Sequence, residues 1–158
     1  MTKESIKTYS YRISQASKTE LIVIMYDMAI EYVKAAADIY SVDIEQYHTN
    51  LKQAKRVVDE LTVSLDMQYD ISNELFKVYV TIMRFLVKAD AGKDVKLLDT
   101  VLSMLQKLRK SFYDISKQDD SGPMMQNTQQ VYAGLTYSNM GMSTEISEDP
   151  VNNRGYKV

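Results

Sequence analysis

The sequence predicts an all-α fold: an antiparallel up-down-up-down four-helix bundle, with an N-terminal lid segment before it and a flexible C-terminal tail after it. Three observations predict this. None of the five glycines and two prolines precedes Gly92, so the chain up to that point lacks strong backbone breakers. Helix-start signals recur along that stretch. Apolar residues follow them at alternating steps of three and four, the spacing of a helix face.

The elements follow in order. Residues 1–17 precede the first start signal. Tyr9, Tyr11 and Ile13 alternate there, so an extended chain would point them to one side as a removable lid. Ser17 and Glu20 form the pattern S-x-x-E, a capping box, and open a helix running to about Tyr40. Asp43 and Gln46 repeat the logic for a second helix ending near Asp66. Asp70 and Ser72 are the cap candidates of a third, which ends before Gly92. Asp94 is that of a fourth, which ends near Ile115. Each helix is about 20 residues long, roughly 30 Å. The connections are short, so neighbouring helices must run antiparallel, and the bundle occupies residues 18–118. Gly122-Pro123 breaks the chain after it. Residues 119–158 are too polar to offset their own ordering entropy, apart from the stretch 131–137, which is apolar enough to dock on a groove.

Two seams confirm the period. In the second helix Ile44, Tyr47, Leu51, Ala54, Val58, Leu61 and Leu65 alternate by three and four. In the fourth, Leu98, Val101, Leu105, Leu108, Phe112 and Ile115 do the same. The first and third helices differ. Asp27, Glu31, Lys34 and Asp38 form one narrow charged stripe on the first, and Glu74, Lys77, Thr81, Arg84 and Lys88 form one on the third. The rest of each surface is mostly apolar. A bundle helix needs only about 100–140° of apolar face for its own core. The surplus must be covered by the chain's own ends, a second copy or a partner.

Composition narrows the chemistry. Among 158 residues, 19 Lys and Arg against 21 Asp and Glu give a net charge of −2, which argues against a nucleic-acid binder. There is no cysteine, which excludes thiolate sites and disulfides. The N-terminus lacks the apolar core of a signal peptide, and no apolar run is long enough to insert in a membrane. The expectation is a cytosolic protein that is not an enzyme and carries no cofactor and no metal. His48 is the one histidine. It could serve a histidine phosphotransfer domain, and His48-Thr49-Asn50-Leu51-Lys52 faintly matches the pattern H-x-L-K-G. Lys52 stands one residue too far, however, and no glycine follows, so a solvated histidine at the seam edge is the expectation. A di-iron site would need two E-x-x-H motifs, and a Ser-His-Asp triad would come with a nucleophile elbow; neither is present. Twelve tyrosines and ten methionines suit an adaptable partner-binding face on the first and third helices.

With these residues in place, the chain resembles the FliS-type flagellar export chaperones from about Tyr9 to Ser116. The string QASKTELIVIMYDM is similar to the family pattern T-A-S-P-x-x-L-x-x-M-L-Y-D-G, keeping Ala16, Ser17, Leu21, Met25, Tyr26 and Asp27. HTNLKQAKRVVDEL is similar to N-x-x-L-x-K-A-x-x-I-I-x-E-L, with Ser64-Leu65-Asp66 after it. VYVTIMRFLVKAD keeps Tyr79, Arg84, Leu86 and Ala89 of a third pattern. Leu108-Arg109-Lys110-Ser111-Phe112 is similar to L-R-x-A-W. Lys18 stands where the family has proline, Met28 where it has glycine, Phe112 where it has tryptophan, and Thr81 where a tyrosine is frequent.

The resemblance implies a bacterial cytosolic chaperone. It would hold the C-terminal helical segment of flagellin in apolar surface grooves, prevent its premature polymerisation and deliver it to the flagellar export apparatus. The lid would cover part of the groove without client, and self-association would be an outcome of leaving the groove bare. The implied partner-binding residues are Tyr9, Tyr11, Ile13, Leu21, Ile22, Met25, Tyr26, Asn50, Leu51, Ala54, Tyr79, Ile82, Met83 and Leu86. The competing readings are a phosphotransfer-like signalling domain using His48 and a generic homodimerising bundle.

Overall fold

The computed structural model describes residues 3–125; the docking stretch 131–137 and most of the expected tail lie outside the described residues. Five helices and no strand are present among the described residues: α1 (Lys3–Gln15), α2 (Lys18–Ile39), α3 (Ile44–Val63), α4 (Asp70–Gly92) and α5 (Lys96–Ser116). Helices α2 and α4 each pack against both α3 and α5, so the four form a ring. Helix α1 packs against α2.

The cap chemistry explains where the helices start. The Ser17 hydroxyl accepts the Glu20 N–H at 3.2 Å, and the Glu20 carboxylate accepts the Ser17 N–H at 2.9 Å. Both halves of the capping box are therefore made. Asp43 Oδ1 accepts the Gln46 N–H at 2.9 Å and opens α3.

The two later starts differ from expectation. Tyr69 takes the cap position of α4 without a side-chain bond, and Asp70 is the first helical residue. Ser72 is buried inside the first turn of α4, past the cap position. Helix α5 is preceded by Val95, again without a side-chain bond, and Asp94 instead lends its backbone carbonyl to Leu97. Helix α4 also ends one residue later than a glycine stop would give. Lys93, not Gly92, takes the left-handed conformation at φ 52°, and its N–H reaches the Ala89 carbonyl.

The largest difference is α1. Residues 3–15 are helical, not extended. On a helix Tyr9 and Tyr11 lie on nearly opposite faces. Tyr9 is half-buried and Tyr11 is 71% exposed.

The core is closed by aromatic hydroxyls as well as aliphatic burial. The fully buried set includes Leu51, Val58 and Leu61 of α3, Ile82 and Leu86 of α4, and Leu98, Val101 and Leu105 of α5. Tyr26 of α2 and Tyr79 of α4 share a hydrogen bond across the ring, and the Tyr26 ring lies 5.5 Å from Phe112 of α5. Burial, reinforced by each other's oxygen, pushes the Tyr26 hydroxyl far above its ordinary pKa, so it stays a neutral hydrogen-bonding group. The Tyr47 hydroxyl donates to the Ala89 carbonyl at 2.9 Å. The chain after α5 turns back on the start of α2: Asp119 accepts a hydrogen bond from Thr19, and the Met124 N–H donates to the Ala16 carbonyl at 3.0 Å.

Candidate functional site

The surplus apolar surface of α2 and that of α4 fall in different settings. α2 and α4 are not neighbours in the ring. Along α2, Leu21, Ile22, Met25 and Met28 are half-buried, and α1 packs against this helix. Along α4, Phe76, Val80 and Val87 stay 43%, 45% and 49% exposed, and Met83 between them is half-buried. These four residues are spaced by four, three and four. That gives α4 a second helical seam beside the one that enters the core.

Where α1 meets the bundle, the organising group is Asp27. Its Oδ2 accepts from Arg12 Nη2 of α1 at 2.8 Å, and its Oδ1 accepts from Arg109 Nε of α5 at 2.8 Å. Partial burial works to raise the Asp27 carboxyl, but the bonds from Arg109 and Arg12 outweigh it and hold its pKa below the usual carboxylate value. Tyr9 lies beside the same node. Burial and a hydrogen bond to Glu31 push its hydroxyl well up, and the Arg12 guanidinium sits 5.6 Å from its ring centre. Between α1 and α5 a cleft of about 490 Å³ opens over Val23 and Ile24 of α2. A second, apolar recess of about 210 Å³ lies where α2 and α4 begin and α3 and α5 end; Ile22, Leu65, Ile71, Leu75 and Phe112 line it.

The residues expected to bind a partner are divided by the structure. Tyr26, Asn50, Leu51, Ala54, Tyr79, Ile82 and Leu86 are buried in the bundle. They hold the helices together and present nothing to a partner in this state, because the seam that makes them apolar is the seam that faces the core. Leu21, Ile22, Met25 and Met83 are half-buried, as are Tyr9 and Ile13 of α1; Tyr11 is open. The exposed Phe76, Val80 and Val87 were missing from the expected set, although their four-and-three spacing with Met83 is readable in the sequence.

His48 is tied to structure. Its Nδ1 is hydrogen-bonded to Asp90 Oδ1 of α4, and the other Asp90 oxygen accepts from Lys55 Nζ at 2.6 Å. Burial favours the neutral Asp90 carboxyl, yet Lys55 and His48 together hold its pKa below the usual value. This trio fastens α3 to α4. Among the described residues no helix is long and apolar enough to cross a membrane.

A family model described as flagellar protein FliS matches residues 2–119 of the chain. The chain is also similar to the flagellar secretion chaperone FliS of Bacillus subtilis (strain 168). The two are 27% identical over 90 residues, a match that covers 56% of this chain and 68% of that protein.

Proposed function

Because the chain belongs to the FliS family of flagellar proteins, we propose that it is a cytosolic export chaperone that acts by binding and carries the C-terminal helical segment of flagellin. The observation that carries this is the outer face of α4, where Phe76, Val80 and Val87 are exposed and the half-buried Met83 between them packs on the core. The three exposed residues and Met83 form an apolar stripe at the spacing an amphipathic client helix would use. Holding that segment would keep flagellin from polymerising before delivery to the export apparatus. The client orders as it binds, which offsets part of the burial energy.

The antiparallel up-down-up-down order of α2–α5 belongs to this reading. It is supported by Tyr47, near the start of α3, meeting Ala89, near the end of α4. Residues 1–17 are the lid in this proposal. Helix α1 is joined to α2 through the non-helical Ala16 and Ser17 and is held by Arg12 on Asp27. Its Tyr11, Arg12 and Gln15 already form one wall of an open cleft. In this proposal the client reaches from α4 past α5 into this cleft, so that the lid contacts it instead of only competing with it.

The test is a binding titration of the purified protein with the C-terminal segment of flagellin from the same bacterium, alongside a variant carrying Phe76→Ser and Val80→Ser. Binding by the parent and its loss in the variant support the reading. Equal binding by both moves the client off α4.

A further inference from the structure

We infer that the cleft between α1 and α5 is a carboxylate-binding subsite, which takes an acidic side chain of a partner segment through Arg12 and Arg109. The inference rests on the partner reading above and names the chemistry that this part of the surface would select.

Arg12 and Arg109 approach one carboxylate from two helices, and each uses a single nitrogen to do so. A guanidinium carries five N–H donors in a planar fork. Neither arginine has another hydrogen-bond partner among the described residues. Asp27 thus fixes both groups in place without filling their donor capacity. Both residues line the cleft, and their side chains are 39% and 35% exposed, so the remaining donors are accessible.

The surroundings favour an anion set among apolar atoms. Val23 and Ile24 form the floor, and Tyr11 and Tyr113 stand at the mouth. The Arg109 guanidinium lies 5.1 Å and the Lys117 ammonium 4.4 Å from the centre of the Tyr113 ring. The cleft lining carries Arg12 and Arg109 against Glu20, whose carboxylate is engaged by the Ser17 N–H. Asp27 stands behind the two arginines, and Asp119, bonded to Thr19, accompanies Lys117 after α5, so the charges around the cleft balance. What selects a carboxylate is the set of guanidinium donors that Asp27 leaves unused. The arginine fork matches carboxylate geometry, and the apolar floor with its aromatic mouth suits the residues on either side of that carboxylate.

The probe is acetyl-Leu-Glu-Leu-amide, with acetyl-Leu-Gln-Leu-amide as control, titrated into the isotope-labelled full chain while the arginine Nε–H signals are followed. The expected result is a saturable shift of the Arg109 signal with the glutamate peptide alone, weakened about threefold or more by Arg12→Gln. Equal shifts from both peptides, or none from either, overturn the subsite. With the flagellin segment, neutralising one particular acidic residue should weaken binding about three- to fivefold in the parent protein and not further in Arg12→Gln. A parent complex indifferent to every such change also overturns the subsite. Failure of the unaltered segment to bind refutes the chaperone reading instead, and the peptide titration then decides the subsite by itself.

Discussion

Arg109 of α5 donates through Nε to Asp27 of α2 across 2.8 Å, and both residues lie in the segments through which the chain resembles its family. Arg12 of α1 takes the other oxygen of the same carboxylate. One side chain thus joins the ring of helices and the helix outside it.

Asp27→Asn should therefore lower stability by about 1–3 kcal/mol near neutral pH, because two guanidiniums lose their counter-charge. The Asp27 pKa is depressed in the folded state, so its contribution is fully present above the ordinary carboxylate value and is lost as pH falls through the lower folded value. The gap between parent and variant, followed by thermal melts from neutral pH downward, should close in the acid range below the ordinary carboxylate pKa. A gap that stays constant down to the acid limit would place the effect elsewhere.

The two seams of α4 should separate stability from binding. Ile82→Ala, in the core seam, should cost about 2–5 kcal/mol. Phe76→Ser with Val80→Ser, in the outer seam, should change stability little yet weaken the flagellin segment more than about tenfold. Chemical denaturation and calorimetric titration of the same preparations give both numbers. A large stability loss from the outer pair would show that this face packs internally.

His48→Gln should leave client binding intact and shift stability by less than about 1 kcal/mol, since the amide can still donate to Asp90 and Lys55 stays on its second oxygen. An acid-labile phosphoryl label on His48 after incubation with a phosphodonor kinase would restore the phosphotransfer reading.

Removal of residues 1–14 should weaken client binding, because α1 supplies Tyr11 and Arg12 to the cleft. A simple competitor gives the opposite sign, with tighter binding after deletion. Affinities of the full and shortened chains, measured side by side, distinguish a closing lid from a displaced one.

Much of the bundle was legible because local chemistry and long-range packing agree there. The Ser17 and Asp43 caps, and the seam from Tyr47 to Leu61, all lie as their patterns imply. Helix α1 was missed because its cap signals are weak and Tyr9, Tyr11 and Ile13 also alternate. The competing spacing Ile6, Tyr9, Ile13, by three and four, was the helical signal. Ser72 does not cap because α4 already starts at Asp70, and Gly92 does not stop the helix because Lys93 takes the left-handed turn. The expected site overlapped the core for a related reason. Apolar periodicity marks a face, and only the ring order shows whether a neighbour covers it. Asp27, Arg12 and Arg109 are far apart in sequence, so no spacing brings them together.

The most direct measurement is a calorimetric titration of the full chain with the C-terminal segment of flagellin from the same bacterium, at low salt and again at several hundred millimolar. The account predicts a one-to-one complex with Kd of about 1 μM or tighter. It should weaken less than about tenfold at high salt, because apolar burial dominates and the chain carries a net charge of only −2. No heat of binding at either salt concentration, with folded protein and soluble segment, would contradict the account.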